Sequence, residues 1–221
     1  MKLSELILLI LIAVVIYKFL YALMKRTACV MRINSLRREC GATVKYLRSP
    51  YLSFFKSSAK PDVVITVGDT VYLVRFISGI GGFKRLHFAS EEFYVIYQTA
   101  RIHAGGWIHK RPFRRAQENH GYRLAYGAKV RIMPPLEIPE EYKIRNEYDT
   151  REIIPTLLFN PAPCEVSYVT PEKTSIRVAF TGDKVFGASI FTGSTLVSYA
   201  DRHKRERERK KAEEYGINTG F

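Results

Sequence analysis

Residues Leu6 to Met24 form an apolar run interrupted only by Lys18 and followed at once by Lys25 and Arg26. A helix of roughly 19 residues, rising about 1.5 Å per residue, covers a hydrocarbon core about 30 Å thick. Lys18 lies near one end of the run, where its aliphatic stem stays in lipid while the ammonium reaches the interface. Tyr17 and Tyr21 suit the same boundary. The run therefore reads as a single transmembrane anchor occupying residues 1–26.

Lys2 followed by the apolar Leu6 to Tyr17 also has the charged and apolar parts of a secretory signal. No small-x-small cleavage site follows promptly, however. Thr27-Ala28-Cys29 resembles the end of a lipoprotein processing box, but Lys25-Arg26 precedes it where an apolar residue belongs. An uncleaved anchor is the better reading. Only Lys2 precedes the run, opposed by Glu5, whereas Lys25, Arg26, Arg32, Arg37, Arg38, Lys45 and Arg48 follow it. That asymmetry places the N-terminus outside and the main domain in the cytoplasm. The odd set Cys29, Cys40 and Cys164 agrees with a reducing compartment.

About two hundred residues follow the anchor, enough for a domain with a real core. The formal net charge of +14 exceeds what solubility needs, and it is patchy. Residues 25–48, 101–123 and 202–211 are basic, whereas 137–152 are acidic on balance. Such patches are solvated faces or grip an anionic partner, here a lipid surface or nucleic acid.

Val30, Ile33, Leu36 and Cys40 recur at helical spacing, and Gly41 stands where a helix closes on a left-handed residue. This is an amphipathic helix that continues from the span, with Lys25, Arg26, Arg32, Arg37 and Arg38 assigned to the membrane surface. A strand is expected at Thr43–Leu47. Asp62–Val67 and Val71–Ile77, joined by Gly68-Asp69-Thr70, form a hairpin covered on both faces. Gly79, Gly81 and Gly82 precede Lys84 and Arg85 in a loop able to turn amides toward a phosphate, although no nucleotide-loop spacing is present.

Further strands are expected at Phe83–Phe88, Phe93–Gln98 and within Tyr122–Ile132. Between them, His103, His109 and His120 fit no metal motif. Trp107 and Phe113 alternate with Lys110, Arg111, Arg114 and Arg115, the pattern of a stacking or headgroup surface. Residues 133–152 read as a linker. The segments Ile153–Phe159, Glu165–Val169, Ser175–Phe180 and Val185–Phe191 read as a small antiparallel β unit over 153–195. A charged helix or tail closes the chain over 196–221, with Asp201–Arg205 and Glu206–Lys210 as acid-first pairs. The fold class is thus α+β: a transmembrane helix, a mixed domain over 27–132, a small β unit and a basic C-terminal helix.

Residues 30–77 resemble the opening of the restriction-endonuclease-like fold, whose signature is PD-(D/E)xK. Pro61-Asp62 stands as the Pro-Asp pair, and Val71–Ile77 occupies the strand that ends in the acidic-x-Lys triplet. Arg75 replaces the acid and Ile77 the lysine. The resemblance implies nuclease chemistry only if Asp62 recruits Glu91, Glu92 and Lys84 to hold Mg²⁺ and a nucleophilic water. Without that recruitment it implies a degenerate domain with no cofactor and no catalytic set. Arg75, Lys84, Arg85, Lys110, Arg111, Arg114 and Arg115 would then bind phosphate without cutting it. No nucleophile elbow, Cys-x-x-Cys or Cys-His arrangement offers other chemistry. The expectation is a membrane-tethered interaction protein with an unidentified protein partner; the competing expectation is a tethered, divalent-metal-dependent nuclease.

Overall fold

The computed structural model describes residues 3–51, 58–77, 84–97, 128–143, 151–170, 172 and 175–214. Helix α1 runs unbroken over Leu3–Glu39. Its first part is long and apolar enough to cross a membrane, and none of that stretch is buried within the chain. From Arg26 onward the same helix enters the body. Arg26, Cys29, Val30, Ile33, Leu36 and Cys40 are all buried, a stripe at three- and four-residue steps that faces the core. Gly41, at φ 65°, then reverses the chain, and the amide of Ala42 bonds back to the carbonyl of Leu36 at 3.2 Å.

Strands β1 (Thr43–Tyr46), β2 (Val63–Val67) and β3 (Thr70–Ile77) follow as an antiparallel meander. Val67 pairs directly with Thr70, so the β2–β3 turn is the two residues Gly68-Asp69. Gly68 takes a positive φ of 56°, as glycine in the first place of such turns does. Every residue of β3 is buried, as expected for a strand covered on both faces. Next come β4 (Arg85–Phe88), β5 (Phe93–Tyr97) and β6 (Lys129–Ile132). Then come β7 (Glu152–Phe159), β8 (Glu165–Val169), β9 (Ile176–Ala179), β10 (Lys184–Val185) and β11 (Ala188–Thr192), and helix α2 over Gly193–Glu214.

The strands divide into two mixed sheets. Sheet A has the order β1-β2-β3-β7-β11-β10 and sheet B the order β6-β5-β4-β8-β9. In sheet A, β7 lies parallel to β3 on one side and to β11 on the other. In sheet B, β4 and β8 are parallel. The expected small antiparallel unit over 153–195 is therefore not separate. Its strands complete both sheets begun by residues 43–97, because the buried β3 needs a neighbour on its open edge and β7 supplies it.

Alternation on the strands assigns the faces. Tyr72, Val74 and Phe76 of β3, with Ile154 and Leu158 of β7 and Phe191 of β11, pack against Ile33 and Leu36 of α1 and Leu196 and Val197 of α2. The other face of sheet A sends Ile77, Leu157, Phe159 and Ile190 against Leu86, Phe88 and Val166 of sheet B. Each such side chain stabilises the fold by about 1.5–3 kcal/mol when fully buried. The layers are thus helices, sheet A and sheet B.

Two further expectations are corrected. Residues 133–143, read as linker, form a strap on sheet A: Leu136 and Tyr142 pack on Val64, Val71 and Leu73. The amide of Glu137 also bonds the carbonyl of Ala59 at 2.8 Å. Residues 144–150 of that reading lie outside the described residues. Val185–Phe191, read as one strand, is a hairpin in which Val185 pairs with Ala188. Phe186 at φ 47° and Gly187 at φ 77° make its two-residue turn, the pair of positive φ angles that a type I′ turn requires.

Candidate functional site

Asp62 sits where β1, β2 and β3 converge. Its amide donates to the carbonyl of Val74 at 2.8 Å, and its own carbonyl accepts from Leu47 at 3.0 Å and Arg48 at 3.2 Å. Its side-chain Oδ2 accepts the Phe76 amide at 2.8 Å. The carboxylate thereby extends the hydrogen-bond ladder of β3 by one residue beyond the end of β2. Asp62 is only 3% exposed.

Three arginines surround this carboxylate. Arg48 Nη1 lies 3.5 Å from Oδ1. Arg26, with no exposed surface, places its guanidinium 4.4 Å from the centre of the Phe76 ring. Arg75 donates to three backbone carbonyls, those of Pro134 at 2.6 Å, Ala59 at 3.1 Å and Pro135 at 3.4 Å. Arg26, Arg48 and Arg75 all act on the charge of Asp62. Burial raises the Asp62 carboxyl above the ordinary carboxylate range, against the Phe76 amide and the arginines, which pull it down. Three guanidinium charges around one carboxylate leave a local excess of positive charge, a field that opposes a divalent cation.

Of the residues named for a nuclease, Asp62 precedes β2 of sheet A, whereas Lys84 precedes β4 and Glu91 and Glu92 lie in the β4–β5 turn of sheet B. Glu91 lines a cavity elsewhere. Lys84 offers its carbonyl to the amide and thiol of Cys164, and Glu92 offers its own to the amide of Met133.

The expected phosphate-binding set is also redistributed. Arg75 is buried and occupied by the strap's carbonyls, so it tethers residues 134–135 to sheet A. Arg85 faces Glu165 across the parallel β4–β8 pair, 3.9 Å apart. Lys110, Arg111, Arg114 and Arg115 lie outside the described residues, as do Gly79, Gly81, Gly82, Trp107 and the three histidines from His103 to His120.

Of the residues assigned to a membrane surface, Lys25, Arg32, Arg37 and Arg38 are exposed. Arg26 is not, because the stripe that enters the core begins with it. Arg37 donates to the carbonyl of Val44 at 2.7 Å, and Arg32 lies 3.8 Å from Glu39. Helix α2 carries its charge mostly in pairs. Asp201 and Arg205 meet at 2.8 Å, as their spacing foretells, but Glu206 turns to Arg202 at 3.8 Å rather than to Lys210.

The helices and the sheet meet at two further points that the sequence did not signal. Asn160 Nδ2 donates to the carbonyl of Lys25 at 3.2 Å, which ties the end of β7 to α1 just past the apolar run. At the other end of the sheet, Arg207 bonds Glu152 at 3.1 Å and Thr70 at 3.2 Å, and Lys211 pairs with Asp69 in the β2–β3 turn. Helices α1 and α2 thus run alongside each other against β3, β7 and β11, whose carboxyl ends lie toward the apolar half of α1.

Burial raises the thiol of Cys29 to about 11, although Arg26 acts against it. Burial likewise raises Cys40, joined by Asp201. Burial thus disfavours the reactive thiolate form of both. The fold and site define an α+β body of two mixed sheets built directly onto a long apolar helix, with a cationic cluster buried at the junction. No family model, curated protein or solved structure matches this chain.

Proposed function

We propose that the chain is a single-pass membrane protein whose body is held against the cytoplasmic face of the bilayer and works as a binding platform rather than a catalyst. One observation carries this reading: α1 passes from its fully exposed apolar part into the core without a break. No flexible joint separates anchor from body, so a bilayer around Leu6–Met24 would lie directly under the residues that follow. Lys25 and Arg38 are exposed on that helix, and each cation near an anionic surface contributes roughly 1 kcal/mol before screening. The partner of the platform is anionic lipid, with nucleic acid as the competing polyanion and a protein partner of unstated identity. The guanidiniums around Asp62 weigh against the nuclease alternative and its Mg²⁺.

The test uses the full chain. Membranes from cells expressing it are washed with alkaline carbonate, and Cys164 is labelled with an impermeant maleimide before and after permeabilisation. Retention in the pellet, with labelling only after permeabilisation, supports the anchor and its orientation. Release by carbonate overturns the anchor, and labelling of intact cells overturns the orientation. The chain in neutral nanodiscs is then titrated with labelled nucleic acid over a salt series with magnesium. Salt-sensitive binding to intact nucleic acid moves the partner from lipid to nucleic acid. Cleavage that Asp62→Ala abolishes overturns the non-catalytic reading.

A further inference from the structure

The parallel strands β4 and β8 end side by side, with Phe88 paired to Tyr168. Just past their carboxyl ends lies a cavity of about 590 Å³, within the range of small-molecule sites. Crevices beyond the carboxyl ends of parallel strands are where open sheets hold ligands, because the loops there diverge. Here the walls are the β4–β5 turn (Ala89, Ser90, Glu91), the end of β8 (Tyr168, Val169, Thr170) and the β10–β11 hairpin (Lys184, Phe186, Gly187).

The chemistry of this wall is mixed in a specific way. Tyr168 and Phe186 meet edge to face at 6.4 Å and give an aromatic floor. Glu91 and Lys184 are both exposed and supply one charge of each sign. The hydroxyl oxygens of Ser90 and Thr170 accept backbone amides, from Glu92 at 3.2 Å and Ser175 at 3.3 Å, which fixes both side chains in the wall. Phe186 occupies a left-handed position, φ 47°, where glycine or asparagine would sit without strain. A phenylalanine held there points to use of its ring.

We infer that this cavity binds a short zwitterionic peptide with an aromatic or large apolar side chain: the side chain on Tyr168 and Phe186, the α-ammonium on Glu91 and the carboxylate on Lys184. A polyphosphate is the wrong ligand, since it would meet a single lysine and a repelling glutamate. The inference is independent of the membrane reading, because none of these residues belongs to α1.

The probe is Gly-Phe-Gly, with its N-acetyl and C-amide forms, titrated into the full chain in neutral detergent micelles by isothermal titration calorimetry. The expected dissociation constant for the free tripeptide is on the order of 0.1 mM. Lys184→Gln weakens Gly-Phe-Gly about fivefold and leaves the C-amide form unchanged; Glu91→Gln does the same with respect to the N-acetyl form. Both side chains are exposed, so neither change threatens the fold. Phe186→Gly weakens all three peptides about tenfold, with circular dichroism confirming retained structure. No saturable binding up to about 10 mM would overturn the proposal, and so would a Lys184→Gln or Glu91→Gln variant that weakens capped and free peptides alike.

Discussion

Replacing Gly193 by alanine tests whether the two helices meet as described. A Cβ at Gly193 would lie 3.0 Å from Cys29 Sγ but 3.7 and 3.8 Å from its Cα and Cβ. Only the sulfur is in conflict. Cys29 is buried within the helix–sheet core, so the sulfur has little room to retreat, and the overlap costs about 1–2 kcal/mol. The loss of glycine's freedom in the unfolded chain returns about 0.4–1 kcal/mol. The net expectation for Gly193→Ala is a loss of about 0.5–1.5 kcal/mol, a fall in Tm of roughly 1–6 °C for a chain of this size. In a Cys29→Ala background the remaining contacts are ordinary, and the same substitution becomes neutral or stabilising by about 0.5 kcal/mol. The coupling between the two positions is therefore about 1–2 kcal/mol. Urea and thermal unfolding of the four proteins in detergent, followed by far-ultraviolet circular dichroism, measures it. Additive effects would refute the contact between α1 and the first turn of α2, and with it the rigid seating of the apolar helix on the body.

Three further outcomes follow from the site. Asp62→Ala deprives the Phe76 amide of its acceptor and leaves the guanidiniums without their carboxylate, at a cost of about 3–5 kcal/mol. Asp62→Asn, which keeps an acceptor oxygen, costs about half as much by urea denaturation, and equal losses would show that the hydrogen bond does not matter. Among the cysteines, Cys164 reacts with maleimide in the native chain, whereas Cys29 and Cys40 react at comparable rates only after denaturation; mass spectrometry of labelled peptides reads this directly. Burial lowers His87 below its ordinary range, and its Nδ1 lies 3.0 Å from Ser167 Oγ. A depressed histidine contributes stability that is present above its unfolded pKa near 6.5 and lost as pH falls through its folded value. Stability should therefore decline from pH 7 toward pH 5, and His87→Gln should flatten that part of the profile; an unchanged slope would remove His87 as a cause.

Local pattern made much of this architecture legible. The β2–β3 hairpin was readable because two β-branched runs flank a glycine turn. The seating of α1 was readable because Val30, Ile33, Leu36 and Cys40 keep helical spacing past the apolar run. What stayed hidden depends on distant partners. Proline and acidic residues give 133–143 the composition of a linker, yet Arg75, fifty-nine residues before Pro134, holds that segment down through its carbonyls. Arg26 looks like a surface cation beside an apolar run, and only the position of Phe76 and Asp62 in space makes it a core residue. The break at Phe186 was invisible because a phenylalanine in a hydrophobic run gives no sign of a positive φ. Arg75 was legible as standing where a nuclease strand carries an acid, but its use as a donor to the carbonyls of Ala59, Pro134 and Pro135 was not.

The unbroken course of α1 also sets an angular relation between its two halves. A helix advances about 100° and about 1.5 Å per residue, so the direction in which the sheets face is tied to the phase of the apolar run. One residue inserted within Leu6–Met24 would turn the body about the helix axis by more than a quarter of a circle relative to the residues before the insertion. Four would bring it nearly back into phase, raised by about 6 Å. If the apolar half is held by neighbours of its own, binding by the body should vary with such insertions in steps of helical period rather than with their length.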